Sequence, residues 1–461
     1  MSKGKTSRAI LGNRHARAVK QSRTKKTWGC AMQYRLAFGR SSGEFRLAEV
    51  PRLGHFVGPT SDRSASERQD DVRTQLQNPL DAPPIHRACT ADDRVSIVLD
   101  AGLPHAVDVL VPLLESLCQQ GGVSPANISI VYDSSSPQSK IDALVDELPD
   151  EWADVQMVEH RPDDATGTAY LASTDGGRRV YLSRAVIDAD FYLLVSRVGF
   201  DPIQGRKGPA GLLFPMMSNE ETHLQARRTA MEARWLADHL CTKQDSEEVA
   251  QLAGLFYAIG VAVGSDGQHD RVWVGRYDRV AREGDLYVDA NWRVEAPTVS
   301  PDLVIAVCSP DARGSSWQDV ASALESATRL YRHDSGKIAL VSDLADTMGP
   351  AISILRTQND PWSAAQQIRE SESPDAVAAW QIASAVANNQ VYFLSKIEND
   401  LVDAMGMVPL ASLHELENLA RKASKIIMVE GASSVEVPIA RSSIYRQAES
   451  VDQDEADTED E

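Results

Sequence analysis

Short, nearly continuous apolar runs alternate along this chain with segments of helical spacing. That alternation constrains the fold more than any other feature of the sequence. Val95–Leu99 (VSIVL), 128–132, 191–196 (FYLLVS), 303–308 (LVIAVC), 337–342, 390–395 and 425–430 read as strands. An apolar run of five or six residues suits a parallel strand covered on both faces. Met32–Phe38 reads as the first strand. Between the runs, 105–120 carries Val107, Leu110, Leu114 and Leu117 at helical spacing. Further helices are expected at 139–148, 220–240, 247–263, 316–332, 361–386 and 411–423, and the polar stretch 59–74 reads as loop.

Strands alternating with helices of 10–20 residues predict an α/β fold with largely parallel sheets. The sequence 295–302 (EAPTVSPD) places two prolines before a fresh strand and marks a boundary. The expected organisation is a basic extension over 1–31, an α/β domain over 32–297, a second α/β domain over 298–440 and an acidic tail over 441–461. A cleft is expected between the two domains. The last helix and strand could join either of them.

Charge is distributed unevenly. Residues 1–43 contain eleven Lys or Arg and no acid, whereas residues 449–461 contain eight acids and no base. Of the whole chain's net charge of −19, the body carries the acidic excess. An acidic body argues against a nucleic-acid enzyme, because phosphate contacts need a basic face. The basic start reads as an unstructured extension, with a nucleic-acid arm or a targeting peptide as alternatives. No stretch approaches the ~18 uninterrupted apolar residues of a membrane-spanning helix. Five dispersed cysteines without a CxxC pair argue against a disulfide framework and for a reducing, cytoplasmic setting.

Loops at the carboxyl ends of parallel strands hold the sites of α/β proteins. The first is 100–104 (DAGLP), where Asp100 can anchor a polar ligand or close a turn. It holds one glycine and no dinucleotide fingerprint. The second is 199–215 (GFDPIQGRKGPAGLLFP), where Gly205, Gly208 and Gly211 allow close backbone approach. Arg206 and Lys207 there are candidate contacts for a phosphate or carboxylate. The third is 309–317 (SPDARGSSW), whose Ser315 or Ser316 should cap the following helix. The ten histidines form no HxH or HExxH pattern, and no serine stands in a G-x-S-x-G elbow. His160, in EHRPDD beside several acids, is a weak metal-ligand candidate.

Three segments in order resemble the nickel-dependent lactate racemase family. Residues 76–84 (LQNPLDAPP) with the strand up to Asp100 resemble its entry motif, NPxGxPPL followed by a strand and D-x-T-R-P. Residues 159–190 resemble its HD … LG-T … G-x-x-V-x-L-N-R-x-V-x-E-A-D stretch. The closing segment around Met405, Gly406 and Met407, followed by helix and strand, also fits.

The resemblance implies two α/β domains holding a small molecule in the cleft between them. It implies a nickel-pincer nucleotide tethered by a lysine, hydride transfer at the α-carbon of a 2-hydroxy acid, and two histidines that exchange the hydroxyl proton. Residue by residue, Asp100 and Pro104 match the D-x-T-R-P motif, but its arginine is Leu103. The first expected histidine falls at Ser134–Ser136 and the second at Ile203. The tethering lysine matches Lys207 if the family's G-R-K is paired with Gly205, Arg206 and Lys207. It falls at Gly211 or Leu212 if the flanking prolines are paired. His223 is the nearest counterpart of the nickel ligand, and the second domain's lysine is Glu325. The resulting expectation is a divergent racemase, epimerase or related isomerase with altered chemistry. The alternative is a non-catalytic small-acid-binding or interaction protein on the same fold.

Overall fold

The computed structural model describes residues 32–47, 52–136, 138–201, 203–232, 236–309, 314–331, 335–345, 347–358 and 360–438. The basic extension, the acidic tail and Cys30 lie outside the described residues. An antiparallel hairpin, β1 (Met32–Phe38) and β2 (Ser41–Leu47), opens the described chain and is followed by β3 (Arg52–Val57). Next come β4 (Val95–Leu99), β5 (Ile128–Asp133), β6 (Gln156–His160) and an antiparallel pair, β7 (Thr168–Ser173) and β8 (Arg179–Ser183). Then follow β9 (Phe191–Asp201), β10 (Gly205–Lys207), β11 (Tyr257–Val263) and β12 (His269–Arg276). The remaining strands are β13 (Leu303–Val307), β14 (Lys337–Val341), β15 (Gln390–Leu394), β16 (Val408–Leu410) and β17 (Ile426–Glu430).

Two sheets result. The first has the order β12-β11-β9-β4-β5-β6, with β10 folded back on β9. It is parallel except at β12 and β10. The second, β16-β15-β14-β13-β17-β3, is parallel throughout. The α/β class is therefore as the alternation predicts. Every residue of β4 and β13 is buried, as strands covered on both faces should be. β17 stays in the second sheet. The chain after it returns to the first half, where the Glu436 amide donates to the Trp292 carbonyl at 2.9 Å.

Four expectations need correction. The sequence places 32–57 in the first domain, yet β3 pairs with β17 at the edge of the second sheet. Leu36, Phe38 and Phe45 of the hairpin are buried against Leu303, Ile305 and Val341 of the same sheet. The polar stretch 59–74 is largely helix, Ala65–Gln77. Its start is fixed by a capping box, in which Ser64 accepts from the Glu67 amide while the Glu67 carboxylate accepts from the Ser64 amide. Arg68, Val72 and Leu76, four apart, form its narrow buried face.

The expected helix 247–263 ends at Leu252, and Tyr257–Val263 is a strand at the heart of the first sheet. A short apolar run does not distinguish a buried helix from a buried strand by period alone. Finally, 361–386 is two helices, Pro361–Arg369 and Ala376–Asn388, separated at Pro374.

One continuous core joins the halves. Ala230, Ala258, Trp273 and Trp292 from the first side pack with Leu324, Ile352 and Ile382 from the second. Among the described residues, no helix is long and apolar enough to cross a membrane.

Candidate ligand-binding edge of the first sheet

The carboxyl ends of β4, β5, β6 and β9 bring together the charged groups of the first half. β4 and β5 pair Val98 with Val131, so Asp100 and Asp133 stand two residues further on in the same register. β5 and β6 pair Asp133 with His160 directly. Alternation along a strand then places all three on one face.

Asp100 is buried, 7% exposed, and its carboxylate has three kinds of partner. Oδ1 accepts from the Gly102 amide at 3.0 Å and closes the turn. Oδ2 accepts from Arg197 Nε at 3.1 Å, and Lys207 Nζ lies 3.0 Å away. Burial alone would push this carboxyl up. Arg197, and after it Lys207, overcome that and hold it well below the usual carboxylate range.

The hairpin of β9 and β10 explains how Lys207 arrives there. Asp201 Oδ1 accepts from the amides of Ile203 and Gln204, at 2.9 and 2.8 Å. Gly205, at φ +75°, then turns the chain back so that Lys207 pairs with Gly199. Successive residues of a strand face opposite ways, so Arg206 does not join Lys207 at Asp100.

Arg206 instead donates to Asp289 Oδ1 and to Glu436 Oε2, both at 2.7 Å, and to the Asp285 carbonyl at 3.3 Å. Glu436 is 2% exposed and comes from beyond β17, so Arg206 ties the end of the second half to the first. Of the two candidate anion contacts, Lys207 therefore meets Asp100, and Arg206 meets Asp289 and Glu436. A cavity of about 320 Å³ lies along this hairpin, lined by both Arg206 and Lys207 together with Gly208, Lys243, Tyr277 and Arg282.

Arg197 is the residue the sequence reading missed. It follows the buried run of β9 directly, and a lone basic residue there was the available signal. Its guanidinium lies against the 100–104 turn: a Cβ on Gly102 would fall 2.6 Å from Arg197 Nη2. Leu103, at the position of the resembled motif's arginine, is fully buried in the core. An arginine therefore reaches this turn from another strand.

The two weak metal candidates, His160 and His223, come together with Asp133. One ligand atom from each lies within 4.8 Å of the others. His223 stands on the helix Glu220–Glu232. His160 Nε2 donates to the Ser218 carbonyl at 2.9 Å, and His223 Nε2 donates to the Met216 carbonyl at 3.1 Å. Burial lowers the pKa of His160 and pushes that of His223 down to about 4, so both rings are neutral at pH 7.

The turn expected to carry the first histidine, Ser134–Ser136, is closed instead by Asp133 Oδ1 accepting from the Ser135 amide at 2.8 Å. Ile203, at the second expected position, packs on the core. Glu325 is joined to Arg329 and Gln381 between two helices. In the third loop, Ser316 forms a capping box with Asp319, as expected of a helix start; residues 310–313 lie outside the described residues.

Comparison with known proteins supplies the context. The family described as lactate racemase N-terminal domain matches residues 38–234. The structure of the lactate racemase apoprotein from Thermoanaerobacterium thermosaccharolyticum is similar with a TM-score of 0.73 and 16% identity, covering 88% of this chain and 100% of that one. A protein from Thermotoga maritima is similar with a TM-score of 0.56 and 9% identity, covering 82% of this chain and 98% of that one. No curated protein matches the sequence. Residues 38–234 thus match a lactate racemase N-terminal domain, and the fold over most of the chain is similar to that of a lactate racemase apoprotein.

Proposed function

We propose that this chain is a divergent racemase-family protein that holds a small 2-hydroxy acid at the carboxyl edge of its first sheet. One observation carries the reading: Arg197 and Lys207 converge on the single buried carboxylate of Asp100. Two cations meeting one carboxylate form an arrangement that a ligand carboxylate completes, with Arg197 replacing the arginine lost at Leu103. Lys207 is largely buried and Arg197 partly so, which keeps water from screening them fully. Asp100 orients both cations and limits their rotamers.

The residues present fit the nickel-pincer nucleotide implied by the family resemblance only in part: His223 stands at the nickel ligand's position and Lys207 at the tether in the G-R-K register, where its Nζ is ion-paired with Asp100 at 3.0 Å, while the residues for substrate binding and proton exchange are absent. Leu103 and Ile203 are apolar core positions, and the Ser134–Ser136 turn holds no base. At Gly211 a side chain would meet Gln204 within 1.9 Å, so the proline-paired register offers no tether there.

A second reading, a binding protein without turnover, is favoured by that same loss of the expected histidines. Titration with D- and L-lactate, followed by chiral analysis after prolonged incubation, separates the two. Saturable binding with interconversion supports the isomerase. Saturable binding without it supports the binding protein. No saturable binding of either enantiomer, or binding unchanged in Lys207→Ala, contradicts both.

A further inference from the structure

We propose that Asp133, His160 and His223 bind one divalent first-row transition-metal ion. The proposal concerns side chains distinct from Arg197, Lys207 and Asp100, and it does not depend on the hydroxy-acid reading.

The geometry has three independent parts. The first is convergence: a strand-to-strand register pair, Asp133 and His160, meets a histidine from a separate helix, with one ligand atom of each within 4.8 Å of the others.

The second is tautomer. A backbone carbonyl only accepts hydrogen bonds, so the contacts to Ser218 and Met216 place the proton of each ring on Nε2. Nδ1 of each ring is then the nitrogen with a lone pair. A ligating histidine characteristically donates its other N–H to a carbonyl or carboxylate. Here one short segment, 215–218, orients both rings.

The third is an unanswered oxygen. Asp133 is 5% exposed and its Oδ1 accepts from Ser135, but its buried Oδ2 has no hydrogen-bond partner. A buried acceptor without a partner is costly, and a cation bound there removes the cost. Arg227, on the same helix as His223, is the positive group facing the cluster. It does not answer Oδ2: its Nη2 donates to the Glu372 carbonyl at 3.2 Å, and its buried Nε is itself unpartnered.

Two imidazoles and one carboxylate suit zinc, cobalt, nickel or iron(II) and are a poor set for magnesium or calcium, which take oxygen ligands. Three protein ligands leave coordination positions open for water or for a ligand oxygen.

The test uses the full-length protein, stripped with chelator and titrated with Co²⁺ and Zn²⁺, with Mg²⁺ as competitor. The expected result is one equivalent of Co²⁺ with visible d–d absorption, displaced by Zn²⁺ and not by Mg²⁺. Affinity should fall at least about tenfold in Asp133→Asn and in His223→Ala. It should be unchanged in His414→Ala, an exposed histidine on another helix. Zn²⁺ should also raise the melting temperature of the wild-type protein. Failure of the wild-type protein to take up a stoichiometric ion overturns the proposal. So does wild-type affinity in both Asp133→Asn and His223→Ala.

Discussion

The two parallel sheets present the same topological feature, a carboxyl edge with a buried aspartate, and treat it in opposite ways. In the second sheet, Asp343 follows β14 and is 2% exposed. It accepts from the Arg40 amide at 2.8 Å, the Ser315 amide at 2.9 Å and Ser315 Oγ at 3.0 Å. The tip of the first hairpin sits on it so closely that a Cβ on Gly39 would lie 1.7 Å from Asp343 Oδ1. Beside it, Ser309 bonds Ser433 and Ser434, again within the protein. In the first sheet, Asp133 retains an unpartnered oxygen and Asp100 gathers two long cations. The second edge is closed by its own chain; the first has polar groups left for a ligand. The hairpin that closes the second edge belongs to the N-terminal segment, so the crossing of chain between halves sets which edge is available.

The comparison can be broken most severely at the closed edge. Asp343→Ala leaves the buried amide and hydroxyl of Ser315 and the half-buried amide of Arg40 without their acceptor and should cost on the order of 3 kcal/mol, read as a lower denaturant midpoint. Gly39→Ala should cost about 2 kcal/mol, because it combines a positive φ of 53° with the Cβ contact on Asp343. At the open edge, Asp133→Asn should cost less than about 1 kcal/mol, since Oδ2 makes no hydrogen bond. Equal costs for Asp343 and Asp133 substitutions would remove the distinction between the edges.

Acid sharpens the same contrast. The folded-state pKa of His223 is depressed to about 4, below the ordinary 6.5. His269, buried beside the Pro104 carbonyl, is also depressed to about 4. Both are neutral in either state at high pH and contribute no pH dependence there. As pH falls below about 6.5, the unfolded chain takes up these protons first, so stability should decline until about pH 4 and then level. The loss is on the order of 3 kcal/mol per histidine. Replacing His223 by Ala should flatten part of that slope, measured as midpoint against pH.

How much was legible beforehand follows from the kind of signal. Buried parallel strands announce themselves as apolar runs, and Val95–Leu99 lies where its sequence says. Tyr257–Val263 did not, because its composition fits a buried helix equally well. The helix at Ala65–Gln77 was hidden by its polarity, although Ser64 and Glu67 held its capping signal. At the site, Asp100, Lys207, His160 and His223 were each visible singly. Their grouping was not, because it depends on strand register and on a helix that closes from far along the chain. The separation of Arg206 from Asp100 is not legible, because the β10 strand, and with it the alternation of side chains, cannot be read from three residues.

The most direct test of the open edge is calorimetric titration of lactate into the wild-type protein and into Arg197→Ala and Lys207→Ala. The expected result is saturable binding that weakens at least about tenfold in each variant, as loss of a charge-assisted contact requires. Absence of saturable binding to the wild-type protein, or variants that bind as it does, would show that this edge does not receive the acid.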